Sequence, residues 1–195
     1  MIQRKLMWGA VALILVAGSS ITLRAAETSG PTPSVPLDTV TDYIHALIQA
    51  DREIYTRNVV ERMQTKGIVV ASEDWKEKST IPLPAQFLID SAQLVARKTS
   101  IRIRLLSLWP INPRNGPATE FEREGLAAVI TRPDRPYTGF FESGRKWFFQ
   151  ALYADRAISQ ACIGCHNAHP DSPKREFRQD DVMGGILITI PAASQ

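Results

Sequence analysis

The chain predicts an α+β domain built on an antiparallel sheet, and three observations carry that expectation. Residues from Asp38 to about Lys66 contain no proline or glycine and repeat apolar residues at helical spacing. Several later segments alternate in polarity or run apolar and β-branched, as strands do. Two of those segments are joined by Ser143-Gly144, which reads as a hairpin turn.

In chain order, Thr28 to Pro36 is rich in Ser, Thr and Pro and reads as an extended linker. A helix of about eight turns then runs from Asp38 to Lys66, carrying Ile44, Leu47, Ile48, Ile54, Tyr55 and Val59, with Gly67 as its C-terminal stop. Pro84 opens a second helix through Phe87, Leu88, Ala92 and Val95 to Lys98. Ile101, Ile103 and Leu105 alternate with Arg102, Arg104 and Leu106, a strand pattern. Trp109 to Pro117 is a loop, and Thr119 begins a short helix through Phe121, Leu126 and Val129. Gly139 to Glu142 and Lys146 to Tyr153 form the hairpin, and Gly185 to Ile190 reads as a buried final strand.

The 195 residues are 44% hydrophobic and 22% charged, which suits one ordinary domain with a core of its own. The formal charge is +3, and Lys and Arg are spread without the clustering that nucleic acid demands, so nucleic-acid binding is not expected.

The stretch richest in chemistry is Cys162-Ile163-Gly164-Cys165-His166. C-x-x-C-H is the spacing at which two thiols add to the vinyl groups of haem while the adjacent His reaches the iron. It predicts one covalent haem c, held by Cys162, Cys165 and His166, near the C-terminus. A thioredoxin-like pair would precede a long helix, but Pro170 and Pro173 interrupt the chain soon after the pair. Zinc on Cys162, Cys165 and His169 would need a fourth ligand, and a disulfide across two residues would be strained. The chain has no further cysteine, so the haem would use both thiols.

The N-terminus agrees with this from an independent direction. Arg4 and Lys5 precede an uncharged run from Leu6 to Leu23, after which Arg24 and Glu27 restore polarity. Residues 1–26 are expected to be a signal peptide or membrane anchor, residues 27–37 a linker and residues 38–195 the haem domain. The run is near the lower limit for spanning a bilayer, so cleavage and anchoring both stand. The expected location is periplasmic or otherwise extracytoplasmic, where haem is attached to such motifs.

Arg102 to Asn115 with its Asn112-Pro113-Arg114-Asn115 loop, Phe121-Glu122, Cys162 to His166, and Asp181-Val182-Met183-Gly184-Gly185 before a strand ending Ile190-Pro191 occur in an order and spacing that resemble one family. It is the single-haem c-type domain with a PAS-like fold, long catalogued as a domain of unknown function, and the resemblance spans residues 38 to 191. It implies a PAS-like antiparallel sheet with a long N-terminal helix and flanking helices. It further implies sensing of redox state or a small ligand, or electron movement, by a domain found alone or as the extracytoplasmic part of receptors. A redox partner protein or a separate signalling protein is then expected.

The resemblance also points to the long first helix for the sixth iron ligand, with sulfur in some members, but this chain has no third cysteine. His45 and Met63 lie 18 residues apart on that helix, about 27 Å along one face, so only one of them can reach the iron. His45 is preferred, because Ile44 and Ile48 give it an apolar helix face; its plainer reading is a solvated or capping histidine. Met63 and Met183 read as core fillers, His169 points away unless its loop curls back, and an open sixth position is the remaining alternative. Arg102 and Arg104 are candidate partners of haem propionates or members of an exposed sheet face. Trp147, Phe148, Phe149 and Tyr153 are candidate haem walls or plain core. Asn112, Arg114 and Asn115 are expected to fix a tight loop. An enzyme such as a peroxidase would need an open iron with acid and base residues above it, and the sequence favours a haem protein that does not turn over a substrate.

Overall fold

The computed structural model describes residues 34–192, so the expected signal or anchor and most of the linker lie outside the described residues. Helix α1 spans Leu37–Ile54, passes without a break into π-helical turns at Tyr55–Glu61, and ends in α2, Arg62–Thr65. Gly67 stops it with φ of +64°, a conformation that glycine adopts without steric cost. The long helix therefore has the expected extent, but its middle is widened. At that widening the Thr56 hydroxyl donates to the Arg52 carbonyl at 2.7 Å, a side-chain bond that competes with the regular helical ladder.

Strands β1, Ala71–Ser72, and β2, Ile81–Pro82, form a short parallel pair that the sequence pattern does not reveal. Helix α3, Pro84–Lys98, starts at its proline as expected. It is tied to the long helix by Tyr55, whose ring stacks on Phe87 at 4.5 Å and whose hydroxyl donates to the Pro82 carbonyl at 2.7 Å.

Four strands make the main sheet: β3, Arg102–Leu106; β4, Tyr137–Ser143; β5, Lys146–Arg156; and β6, Val182–Ala192. They lie in the order β3-β6-β5-β4, every neighbour antiparallel. The last strand in sequence is thus an inner strand, which explains its largely apolar, β-branched run. Alternate residues feed two cores. Phe149, Ala151, Tyr153, Ile186, Ile188 and Ile190 pack with Leu88 of α3 and with Val40, Ile44 and Ile48 of α1. On the other face, Leu152, Ala154 and Leu187 pack with Leu126 and Val129 of α4, Glu120–Thr131. Helix α4 begins with a capping box in which Thr119 and Glu122 satisfy each other's backbone N–H groups. The result is the α+β, PAS-like arrangement that the sequence and its resemblance predict.

Leu47 and Ile54 count among the periodic apolar residues of the long helix, yet both face outward, at 68% and 58% exposure. The inward stripe carries Thr41, Arg52, Thr56 and Val60 instead, all buried. A buried arginine on that stripe is the feature that bears most on the site.

Candidate haem site

Cys162, Cys165 and His166 sit on α5, Gln160–Ala168, a short helix where the sequence pattern shows only a loop. Ser159 caps it by accepting from the Cys162 N–H, so the missed signal was an N-cap serine three residues before the first cysteine. The helix ends at His169, before Pro170.

The loop between α5 and β6 holds this helix in place. Asn167 grips the backbone of Phe177 from both sides, its Nδ2 donating to the carbonyl at 2.9 Å and its Oδ1 accepting from the N–H at 3.0 Å. Phe177 in turn meets the His166 ring edge-on, 5.8 Å between centroids at 89°. Phe177, Met183 and Ala157 form a small buried cluster against which Cys162, Ile163 and Trp109 pack. The His166 ring is thereby oriented by the loop that returns the chain to β6.

Both thiols and His166 line one cavity of about 710 Å³, within the usual range for cofactor sites. Leu105, Leu106, Trp109 and Ile111 supply apolar wall; Arg52, Val60 and Gln64 come from the long helix, and Asp155 from β5. The residues fit a c-type haem on several counts. Cys162 and Cys165 are free thiols on the same wall. His166 Nδ1 is buried with no hydrogen-bond partner. Burial lowers the pKa of His166, with Arg52 and His169 adding to the effect and Asp155 opposing it, so the imidazole is held neutral, the form that binds metal. Burial also raises the Cys165 thiol.

Arg52 and Asp155 form a buried ion pair between Nη1 and Oδ1 on the cavity wall, with side chains 9% and 8% exposed. Burial opposes the guanidinium's charge, but the Asp155 carboxylate overrides it and raises the Arg52 pKa. Arg52 Nε has no hydrogen-bond partner.

His45 does not line the cavity; it stacks on Tyr153 at 4.0 Å and 9°, two turns before Arg52, and its Nε2 is buried without a partner. Met63 is also off the wall, while Met183 lies on it within the Phe177 cluster. The loop after α5 does curl back: His169 lines the cavity, but its Nε2 lies 3.4 Å from Glu73 Oε1 and its Nδ1 accepts from the Asp171 N–H. Among the described residues no group of three or more His, Cys, Asp or Glu is arranged to hold a metal ion.

Arg102 and Arg104 do not line the cavity and so are not propionate partners; they take the alternative place, on a face of the sheet. Arg102 donates to the carbonyls of Ala96, Thr99 and Ile101, and Arg104 pairs with the buried Glu122 on the α4 side of the sheet. Trp147, Phe148, Phe149 and Tyr153 are likewise not cavity residues: Phe149 and Tyr153 are core, and Trp147 is 42% exposed. The Asn112 loop behaves as expected, with Asn112 Oδ1 accepting from the Arg114 N–H at 3.0 Å and Pro113–Asn115 making one tight turn. Asp181-Val182-Met183-Gly184-Gly185 is a packing motif. A Cβ on Gly184 would stand 2.1 Å from the Leu106 carbonyl oxygen, and Ser107 donates to the Met183 carbonyl at 2.7 Å.

A sheet flanked by helices, with a C-x-x-C-H helix opening on a large cavity, defines a class of cofactor-binding α+β domain. The family model described as Tll0287-like matches residues 36–191, and the chain belongs to that family. Among solved structures it is similar to the cyanobacterial heme-protein Tll0287, with a TM-score of 0.49 and 16% identity over 83% of this chain and 99% of that one. None of the curated proteins matches.

Proposed function

We propose that this chain is a single-haem c-type protein working outside the cytoplasm, in redox or ligand sensing or in electron transfer. The observation that carries the reading is the convergence of both thiols and His166 on one cavity of about 710 Å³. Membership of the Tll0287-like family supports it, since Tll0287 itself is a heme-protein. Haem bound there supplies one-electron iron chemistry and a ligand position.

The chain's own residues divide the remaining work. Cys162 and Cys165 hold the group covalently, and His166 offers the iron a neutral imidazole nitrogen. Phe177 and Asn167 keep that imidazole in orientation. Trp109, Leu106 and Met183 give the cavity apolar wall, and Arg52 and Asp155 give it a buried ion pair. A redox partner protein or a separate signalling protein completes the activity.

The test is a redox titration of haem-loaded protein with a peroxide assay beside it. Reversible one-electron reduction without peroxide turnover is expected. Sustained turnover of peroxide would replace this reading with an enzymatic one.

A further inference from the structure

The walls of the cavity differ in what each can present to a haem held by His166. Met183 belongs to the Phe177 cluster that packs beside His166 itself, and His169 has its Nδ1 taken by the Asp171 N–H and its Nε2 turned towards Glu73, 3.4 Å from Oε1. The long helix contributes Arg52, Val60 and Gln64, none of which is a usual iron ligand. What that helix does present is a guanidinium, about 9% exposed, with one end fixed by Asp155 and its Nε–H without a partner.

A buried donor left unsatisfied costs roughly 1–3 kcal/mol, and such groups mark places where an acceptor belongs. A guanidinium presents donors in a fixed fork, so a second acceptor can bind one edge while Asp155 keeps the other. The helix widens into π turns three residues after Arg52, and single-turn π insertions are frequent at functional sites.

We propose that the cavity binds a small anionic or dipolar ligand, of the class of cyanide or carbon monoxide, at an iron position that no side chain closes, and that Arg52 donates to it. This inference rests on the haem reading above. Asp155 is a positioning residue: it holds the guanidinium in place and offsets its charge. An anion entering beside the pair restores the satisfaction that Arg52 Nε lacks, and a neutral ligand that gains negative charge on binding profits in the same way.

The experiment uses haem-loaded protein with cyanide on the ferric form and carbon monoxide on the ferrous form. Cyanide should shift the ferric absorption bands, and carbon monoxide should bind on reduction. Arg52→Leu should weaken cyanide about tenfold, the loss of one charge-assisted hydrogen bond. It should also raise the carbon monoxide stretching frequency, because a positive charge near the ligand's oxygen lowers it. Since Arg52→Leu alone leaves Asp155 unpaired, the Arg52→Leu, Asp155→Leu double variant is measured beside it and should show the same two changes. Unaltered protein that binds neither probe overturns the proposal, and in that case probe binding gained by His45→Ala identifies His45 as the residue that closes the iron. Probe binding that neither Arg52 variant moves also overturns it and assigns Arg52 to a structural or propionate role. Protein that acquires no haem fails the haem reading instead, and its intact mass separates the two failures.

Discussion

Among single residues, those most easily read from the sequence were the ones whose chemistry depends on near neighbours in the chain. Cys162, Cys165 and His166 are fixed relative to one another by one turn of helix, so their spacing announced their joint use. Arg52 and Asp155 lie 103 residues apart, and nothing local marks either as buried, since a charged residue on a helix is ordinarily solvated. For Arg102 and Arg104 the sheet-face reading holds and the propionate reading does not, since strand alternation tells which face a residue takes but not what covers that face. The buried pair yields a stability prediction. Asp155→Leu leaves Arg52 buried without its counter-charge and should cost about 3 kcal/mol, whereas replacing both residues by leucine should cost less. Denaturant midpoints of the two variants check this, and equal losses would count against a coupled pair. Asn167→Ala should release Phe177 and so disorder the seat of His166, which would show as a broadened His166 ring signal in NMR of the haem-free protein.

At the scale of elements, helix α4 and the hairpin were legible because their ends carry explicit signals, the Thr119 capping box and Ser143-Gly144. Helix α5 was not, although Ser159 is a capping residue, because its nine residues are too few to show a periodic apolar stripe and prolines stand close behind them. The π turns left no trace in the apolar spacing, since one extra residue per turn only rotates the stripe. The outward placement of Leu47 and Ile54 has a related cause: a single sequence shows that apolar residues recur, not which of two adjoining stripes meets the sheet. Gly184 belongs to this scale, as the point where β6 enters the sheet beside β3. Gly184→Ala would drive a methyl into the Leu106 carbonyl, and a loss of about 3 kcal/mol or failure to fold is expected on thermal unfolding. Ser159→Ala should cost about 1 kcal/mol through the lost cap of α5, with no effect on the sheet.

For the whole molecule, the sequence indicated the fold class but not the assembly of the site. Sheet order places β6 between β3 and β5, which brings Met183, Leu106 and Asp155 to one end where α5 and the long helix also arrive. No periodicity encodes that convergence. The fold also makes stability depend on pH through His45. Burial lowers its pKa, with Asp155 and Asp42 opposing, while the unfolded chain takes up its proton near the usual 6.5. The unfolded state therefore binds more protons as pH falls below that value, so the native state loses stability on acidification and regains it towards neutrality. His45→Phe, which keeps the stack on Tyr153, should reduce this slope below about pH 6.5 in denaturant titrations of the haem-free protein, leaving the part contributed by His166, whose pKa burial also lowers. Residues 1–26 carry the expectation of export, and fractionation should find the haem-loaded protein outside the cytoplasm, in either the soluble periplasm or the membrane.

The measurement closest to the central claim is the intact mass of the protein made in a host that attaches haem to exported chains, together with mapping of the modified peptide. One added haem that survives acid extraction and maps to the α5 peptide containing Cys162 and Cys165 is predicted, with Cys162→Ala, Cys165→Ala at the unmodified mass. An unaltered chain at its bare polypeptide mass, or haem that extracts freely, would contradict the account.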